Sequence, residues 1–475
     1  MIEKKFMHSR RHFLHQSACG FGALASSAIA TRAAFARNEH GGLHHAPRAK
    51  RVIFLFMQGG VSQVDSFDPK PELDKRDGQM LPFDDAREFA NTRKLGADQR
   101  VMRSPWSFKK YGECGRPVSE LFPAIAEHAD KLTMLHGMHT EGVAHGPATL
   151  FLHCGSQNLV RPSMGSWAIY GLGSENANLP GFISIAPSIG NGGARNYGSA
   201  FLPMKNQGTA IGNADLAELK LNHVRPDAAE TQRWLFQHEL QKMQLERFGA
   251  AGIEQGSGRD ELESVIESYE LAARMQLSAP EVFDLSNETA ETMQLYGIDQ
   301  KQTETYGRRC LLARRLCEAG VRYIQVNYGD NSANPAWDQH SNLPKHAEHA
   351  AAVDRPIAGL LTDLARRGLL EDTLVWWGGE FGRSPYAEKN GTGRDHNPGG
   401  FTVWLAGGGT KPGFAYGRTD DFGHKAIADK VHMHDLHASI FHLLGIDHER
   451  LTYKHAGRDF RLTDVHGRVV HELFA

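Results

Sequence analysis

Six short, continuous apolar runs constrain the fold of this chain more than any other feature. The first covers residues 51–57, reads RVIFLFM and ends at Gln58-Gly59-Gly60. A run without alternation between polar and apolar residues is typical of a strand buried on both faces, as in a parallel sheet. Similar runs lie at residues 132–135, 182–185, 322–328, 373–377 and 401–406. The sequence therefore predicts a mostly parallel β-sheet.

Segments with helical spacing of apolar residues separate most of these runs. Residues 117–129 and 307–319 have this spacing, and Gly320 follows the second segment, where glycine commonly ends a helix. Strands that alternate with helices are typical of a doubly wound α/β domain with helices on both faces of the sheet. We expect residues 51–475 to form such a domain.

One long stretch departs from this alternation. Residues 190–208 are rich in Gly, Asn and Ser and predict a surface loop. Residues 214–296 are rich in Glu, Gln, Ala, Leu and Arg, with helical patterns at 226–248 and 258–275. We interpret about 209–300 as a helical insertion. It either covers the ligand-binding edge of the sheet or serves as a packing subdomain.

The first 36 residues have the pattern of a twin-arginine signal peptide. Arg10-Arg11 precedes a mildly apolar run at 17–30 and the small-residue cleavage pattern Ala34-Phe35-Ala36. This run is shorter than the roughly 20 residues of a membrane span and contains Gly and Ser, which argues against a permanent span. Residues 37–50 are then a polar, His-rich linker. The pattern predicts export by the twin-arginine machinery to the periplasm or the medium, or else an uncleaved leader that tethers the domain.

Charge and cysteine content narrow the range of partners. The chain has 53 basic and 55 acidic residues, a formal net charge of −2, so no broad electrostatic surface for nucleic acid or anionic lipid is expected. Its five cysteines are too few for a disulfide scaffold. A small partner is the simplest expectation.

Three polar clusters follow predicted strands and contain the side chains that bind divalent cations. They contain Asp338 with His340, Glu380 after two glycines, and His396 after Arg394-Asp395. Because ligands bind at the carboxyl ends of parallel strands, these segments can meet although they are distant in sequence. We expect Asp338, His340, Glu380 and His396 to hold a divalent ion, either Zn, Ca or Mn.

Two arginines flank these ligands. A guanidinium group matches a sulfate or phosphate group in a bidentate manner, so Arg383 and Arg394 are candidate catalytic residues that stabilise charge on such a group. Each arginine can instead form a salt bridge with a neighbouring carboxylate. The sequence leaves both interpretations open.

Longer motifs connect the chain with a known family. The residues that carry the resemblance are Phe56-Met57-Gln58-Gly59-Gly60-Val61-Ser62-Gln63-Val64-Asp65-Ser66-Phe67-Asp68-Pro69-Lys70-Pro71, Gly165-Ser166-Trp167 and Gly379-Glu380-Phe381-Gly382-Arg383. Together with the leader they resemble the exported bacterial family known as domain of unknown function 1501, over nearly the whole mature chain. The order of strands and polar segments also resembles the wider sulfatase and alkaline-phosphatase superfamily.

The resemblance to the superfamily implies roles for further residues. His145 stands where its sulfatases have a Cys or Ser nucleophile, so His145 is a general base, a nucleophile, a metal ligand or a helix-capping residue. The superfamily's Asp-His-Gly falls on Glu380-Phe381-Gly382, which loses an imidazole and implies one ion rather than two. Its acidic ligand after the first strand is missing, and Asp65 is a displaced substitute.

These observations lead to two hypotheses. The first is an exported metal-dependent hydrolase of sulfate or phosphate esters, in which His145, Arg383 and Arg394 act on a small anionic ester. The second is a catalytically degenerate exported protein of the same fold that binds a metal or an anionic glycan. Ser62 and Thr140 are alternative nucleophiles, although such hydroxyls more often cap turns and helices.

Overall fold

The computed structural model describes residues 43–83, 98–212, 281–329, 335–388 and 391–475, and single helical positions between 236 and 271. The predicted signal peptide at 1–36 and the first part of the predicted linker lie outside the described residues. The same is true of most of the predicted helical insertion, including most of both of its predicted helices.

The main sheet is built from nine described strands. In chain order they are β1 (Arg51–Met57), β2 (Leu132–His139), β3 (Phe182–Ile185), β4 (Thr209–Ile211), β5 (Tyr323–Tyr328), β6 (Thr373–Gly378), β7 (Phe401–Ala406), β8 (Ala415–Tyr416) and β9 (Val431–His432). Their spatial order is β8-β2-β7-β6-β1-β5-β3-β4, and β9 also pairs with β2. All six predicted strands are therefore present.

The sheet is mostly parallel, as predicted. β1 pairs in parallel with β6, with Arg51 opposite Thr373, and with β5, with Val52 opposite Tyr323. Only β7 runs against its neighbours β6 and β2. The carboxyl ends of β1, β2, β5 and β6 consequently lie at one edge, which also receives the start of β7.

Helices cover both faces of this sheet. The described α-helices are α1 (Gln63–Ser66), α2 (Pro71–Lys75), α3 (Pro123–Ala126), α4 (His145–Cys154), α5 (Met164–Leu172), α6 (Ala290–Leu295), α7 (Glu304–Glu318), α8 (Lys345–Arg366) and α9 (Met433–Leu443). Ile53 and Leu55 of β1 pack in a core with α7 and α8. Val52 and Phe54 pack in a second core with α5 and α9. This two-sided burial explains why β1 lacks polar residues.

Five two-stranded pairs in the described residues lie outside the main sheet. They pair Met80–Pro82 with Asp98–Arg100, Phe108–Tyr111 with Arg116–Ser119, Gly382–Ala387 with Arg394–Asn397, Arg418–Thr419 with Ala426–Ala428, and Tyr453–His455 with Arg458–Phe460. The hairpin of Gly382–Ala387 and Arg394–Asn397 lies between β6 and β7. It carries part of the candidate site.

The helical predictions are partly wrong. Residues 117–129 do not form one helix, because Arg116–Ser119 is a strand and α3 begins only at Pro123. Proline disfavours a helical residue before it, and Phe122 is indeed non-helical with φ −127° and ψ 54°. The helix predicted at 307–319 is confirmed as α7. The loop predicted at 190–208 contains two 3₁₀ helices, Gly193–Tyr197 and Met204–Asn206.

Among the helices of the described residues, none combines the length and the apolar character that crossing a bilayer requires.

Candidate metal centre

Four polar side chains converge at the carboxyl edge of the sheet. His145 is the first residue of α4, which follows β2. Asp338 and His340 lie after β5, and His396 lies in the hairpin strand Arg394–Asn397 before β7. Each residue offers one ligand atom, and these atoms all lie within 4.8 Å of one another.

The distances within this group are those of neighbouring metal ligands. Nε2 of His396 lies 3.0 Å from Nε2 of both His145 and His340. The Asp338 carboxylate lies 3.1 Å from His145 Nε2, 3.0 Å from His340 Nε2 and 3.4 Å from His396 Nε2. An ion with bonds of about 2.0 to 2.1 Å places neighbouring ligands about 2.8 to 3.4 Å apart, by simple octahedral or tetrahedral geometry. The group therefore fits a divalent transition-metal ion.

The outer hydrogen bonds of the imidazoles support this fit. His145 Nδ1 lies 2.7 Å from Glu380 Oε1, and His396 Nδ1 lies 2.9 Å from the Val143 carbonyl oxygen. Protons on these Nδ1 atoms would satisfy both acceptors and leave the Nε2 atoms with lone pairs. Lone pairs of nitrogen atoms that face each other at 3.0 Å repel unless a cation lies between them. A carboxylate or carbonyl behind an imidazole is also the usual outer partner of a metal-binding histidine.

The electrostatics of the group centre on Asp338. Burial raises the pKa of Asp338, but hydrogen bonds with His145, His340 and His396 and the charge of Arg383 outweigh it and hold this pKa far below its usual range. Arg383 Nη2 donates to Asp338 Oδ1 at 2.8 Å. Asp338 is therefore a carboxylate at any ordinary pH, as a metal ligand must be.

The two buried imidazoles differ in their affinity for protons. Burial lowers the pKa of His145, but hydrogen bonds with Asp338 and Glu380 outweigh burial, and the net pKa is raised. Burial lowers the pKa of His396 to about 3, despite its hydrogen bond with Asp338. His396 is thus a neutral imidazole near pH 7, whereas His145 holds its proton more tightly than a free imidazole does.

Glu380 lies behind His145 rather than in the group of four, which differs from the expectation that it binds the ion directly. Both of its oxygens accept the Gly59 N–H, at 3.0 and 3.1 Å, and Oε1 meets His145. Gly59 has φ +113°, and a Cβ atom there would lie 2.7 to 2.9 Å from the backbone of Trp337 and Asp338. The glycine turn after β1 thus lets both the Asp338 backbone and the Glu380 carboxylate lie close to Gly59.

Asp65 and Arg394 also lie elsewhere than expected. Arg394 Nε and Nη2 donate to the two oxygens of Asp65 at 2.7 and 3.1 Å, and both side chains are fully buried. Of the two interpretations of Arg394, the structure therefore has the salt bridge with a neighbouring carboxylate. Asp65 pairs with Arg394 and is not one of the group of four. Arg383 is fully buried too and donates to the carbonyl oxygens of Gly59, Gly60 and Arg394 as well as to Asp338.

A second group of possible ligands adjoins the first through His340. Its Nδ1 atom lies 3.8 Å from Asp395 Oδ1 and 4.0 Å from Glu388 Oε2. The sequence prediction did not include Glu388 or Asp395. Asp395 precedes His396 in the same cluster, so its position was a usable signal, whereas Glu388 lies in a segment with no ligand-like neighbours.

The two alternative nucleophiles do not contact the group of four. Ser62 Oγ donates to Asp65 Oδ2 at 2.5 Å. Thr140 is buried, and its hydroxyl has no hydrogen-bond partner among the described residues. Neither hydroxyl is a hydrogen-bond partner of His145, Asp338 or His396.

The fold and this cluster together define a large α/β protein with a candidate metal centre at the carboxyl edge of its sheet. The chain belongs to the family described as Protein of unknown function (DUF1501), whose sequence model matches residues 49–474. This finding confirms the family expected from the motifs. No curated protein matches the sequence.

Several solved structures are loosely similar to the chain. One of them is Ps i-CgsB in complex with k-i-k-neocarrahexaose, which is 12% identical, with 84% of this chain and 72% of the other covered and a TM-score of 0.34. The lipoteichoic acid synthase LtaP from Listeria monocytogenes is 7% identical, with 85% and 74% covered and a TM-score of 0.37. A mutant of TAB5 alkaline phosphatase with Mg bound is 12% identical, with 78% and 94% covered and a TM-score of 0.33.

Proposed function

We propose that this chain is a metal-dependent hydrolase of sulfate or phosphate esters that works with one divalent ion held by His145, Asp338, His340 and His396. The observation that carries the proposal is the convergence of three imidazole Nε2 atoms on one buried carboxylate, at the sheet edge where α/β enzymes bind ligands. The order of strands and polar segments in the sequence resembles that of sulfatases and alkaline phosphatases, and this resemblance supports the ester class.

A divalent ion at this place supplies a Lewis acid for an ester oxygen and can lower the pKa of a bound water from about 15.7 toward about 7. The protein's own contribution is to hold the donors in place. Asp338 provides the fixed negative charge, Glu380 and the Val143 carbonyl orient two of the rings, and Arg383 fixes the carboxylate. The ester approaches from the side of His340, which is the most exposed of the four ligands.

The donor set narrows the choice of ion. Three imidazole nitrogens and one carboxylate suit zinc or manganese better than calcium, because calcium prefers six to eight oxygen ligands. We therefore propose a transition-metal ion rather than calcium at this site.

We further propose that water, not a side chain, attacks the ester. Among the described residues, the hydrogen-bond partners of the four ligands include no Ser, Thr or Cys side chain. Ser62 is engaged by Asp65. Asp395 and Glu388, beside His340, are the carboxylates best placed to receive a proton from water at the open side.

We also propose that the chain is exported to the periplasm or the medium, because residues 1–36 have the pattern of a twin-arginine signal peptide. A protein that folds before export can acquire its ion in the cytoplasm, where the supply is controlled. The proposal therefore includes export through the twin-arginine machinery and a small anionic ester or glycan as the substrate.

One observation favours a second candidate, an exported protein that binds a metal or an anionic glycan without catalysis. Arg383 and Arg394, the groups expected to contact an anion, are fully buried and occupied by protein acceptors. Four protein donors also suffice to complete a tetrahedral ion.

The two candidates separate in one experiment. Metal content of the purified protein is measured, and hydrolysis of an aryl sulfate and an aryl phosphate is assayed before chelation, after chelation and after return of zinc or manganese. Turnover that disappears and returns with the ion supports the hydrolase. One bound ion per chain without turnover of either ester supports the binding protein, and absence of any tightly bound ion contradicts the hydrolase and the metal-binding form of the second candidate.

A further inference from the structure

His340 is fixed less firmly than the other three ligands. His145 Nδ1 and His396 Nδ1 have oxygen partners at 2.7 and 2.9 Å, and Asp338 accepts a hydrogen bond from Arg383 at 2.8 Å. The distances from His340 Nδ1 to the carboxylates of Asp395 and Glu388 are 3.8 and 4.0 Å, which are too long for hydrogen bonds. Among the described residues, the hydrogen bonds of the His340 ring therefore involve only its Nε2 atom.

His340 also has the most exposed side chain of the four residues. The side chain of His340 is 29% exposed, against 13% for His396, 9% for His145 and 3% for Asp338. A ring at the solvent side of the group can rotate about its side-chain bonds without entering the packed interior. The three other ligands would have to break a hydrogen bond or a buried ion pair to move.

Two carboxylates near His340, those of Asp395 and Glu388, can also accept a hydrogen bond from the ring when it no longer binds an ion. Asp395 is held by the hydrogen bonds that its Oδ1 accepts from His396 N, at 2.8 Å, and that its own N–H donates to Ser384 Oγ, at 2.9 Å. Its carboxylate and that of Glu388 face the Nδ1 side of His340. Either carboxylate can accept a hydrogen bond from an N–H of the ring once the ring turns toward it.

We infer that His340 is the exchangeable ligand of the centre: it leaves the ion when a sulfate- or phosphate-type anion enters, while His145, Asp338 and His396 stay in place. This inference rests on the metal centre of the proposed function and explains how a site with four protein donors admits a substrate. In the exchange, the bond from Nε2 to the ion breaks and an oxygen of the anion takes that position. The freed ring turns toward the solvent side, where Asp395 and Glu388 lie 3.8 and 4.0 Å from its Nδ1 atom, and nothing is oxidised or reduced.

The first test compares His340→Ala with His396→Ala. The two residues are matched, because both are imidazoles whose Nε2 atoms contact Asp338 Oδ1, at 3.0 and 3.4 Å. Zinc or cobalt affinity is measured by competition with a chromophoric chelator, and thermal unfolding shows that both variants are folded. We expect His340→Ala to keep one ion per chain and His396→Ala to lose affinity at least about tenfold more, the lower bound for disturbing a well-supported ligand.

The second test follows the visible spectrum of the cobalt-loaded protein, which responds to the number of ligands. Inorganic phosphate is the probe. We expect phosphate to change the wild-type spectrum and to bind His340→Ala about tenfold or more tightly, because no protein ligand has to be displaced. Free imidazole should return the His340→Ala spectrum to the wild-type form.

The inference is wrong if His340→Ala loses the ion as completely as His396→Ala, or if phosphate binds that variant no more tightly than the wild type. Both readouts are independent of ester turnover. A protein that shows the exchange but hydrolyses neither aryl ester keeps this inference and contradicts the hydrolase proposal. A protein that hydrolyses an aryl ester but does not show the exchange supports the hydrolase proposal and contradicts this inference.

Discussion

Oε1 of Glu380 lies 2.7 Å from Nδ1 of His145, and the same carboxylate accepts the Gly59 N–H through both oxygens. One buried carboxylate thus joins the turn after β1, the end of β6 and the start of α4. We therefore expect Glu380 to orient His145 rather than to bind an ion directly. The distinction matters because a residue that orients a ligand and a direct ligand respond differently to a neutral replacement.

Replacing Glu380 with Gln should weaken metal binding about 10- to 100-fold without preventing folding. The amide retains an oxygen that can accept from Gly59 but loses the negative charge that makes His145 a stronger donor. Metal affinity by chelator competition and the thermal unfolding midpoint check this prediction.

Glu141→Gln is the matched control for Glu380→Gln. Glu141 also meets an imidazole at 2.7 Å, that of His432, but its side chain is 58% exposed and lies outside the group of four. Equal metal affinity in the two variants would contradict the role given to Glu380.

The buried pair of Arg394 and Asp65 should be a structural element rather than a substrate contact. Arg394→Met leaves the Asp65 carboxylate buried and uncompensated, so it should cost about 3 to 5 kcal/mol of unfolding free energy. The double variant Asp65→Asn with Arg394→Met should lose less than the sum of the single changes. Urea unfolding of the four proteins of this cycle measures the coupling.

An opposite pattern would restore the role that the sequence predicted. If Arg394→Met unfolds like the wild type but loses turnover of an aryl ester, Arg394 contacts the substrate. Such a result would mean that the guanidinium is released from Asp65 when the ester binds.

The sheet was predictable because both of its faces are buried. β1, for example, needs apolar residues at every position, since Ile53 and Val52 enter different cores. A helix on the surface of the fold gives a weaker signal, and the apolar spacing of residues 117–129 arises instead from a strand followed by the short α3. Pro123 separates them, which the spacing alone does not reveal.

The sequence predicted most of the residues of the candidate site but not the contacts between their side chains. The sequence indicates that Asp338, His340 and His396 are ligand-type residues after strands, because topology alone brings such segments to one edge. It does not indicate that Glu380 lies behind His145 or that Arg394 pairs with Asp65. Those outcomes depend on side-chain directions within the turn at Gly59 and the hairpin, which no spacing rule specifies.

Stability near pH 5 should depend on Asp354, a buried residue of α8. Its oxygens accept the N–H groups of Ala124 and Ile125, each at 2.8 Å, yet burial raises its pKa from 3.8 to about 6. Between these two values the folded chain binds this proton more tightly than the unfolded chain. The contribution of Asp354 to stability is therefore largest at low pH and falls as the pH rises from about 4 to 6.

The size of this effect follows from about 1.36 kcal/mol per pKa unit, which gives about 3 kcal/mol in total. Asp354→Asn does not titrate, so the difference in unfolding free energy between wild type and variant should shrink by up to this amount between pH 4 and pH 7. Urea unfolding of both proteins at several pH values measures the difference, and other titrating groups cancel. A difference that is constant with pH, or that grows as the pH rises, would show that the hydrogen bonds from α3 dominate over burial.

The turn at Gly59 should be needed for metal binding as well as for folding. A Cβ atom at Gly59 would lie 2.7 Å from Asp338 N and 2.8 Å from Trp337 N, so Gly59→Ala must displace the segment that carries the ligand Asp338. Gly78→Ala is the matched control, since Gly78 also has positive φ, +79°, but has no atom within 4 Å of the added Cβ. The control should lose roughly 1 to 2 kcal/mol of stability from backbone strain alone and keep its ion. Gly59→Ala should lose more stability and most of its metal, as measured by thermal unfolding and by the ratio of metal to protein. Full metal occupancy in Gly59→Ala would mean that Asp338 does not depend on this close approach.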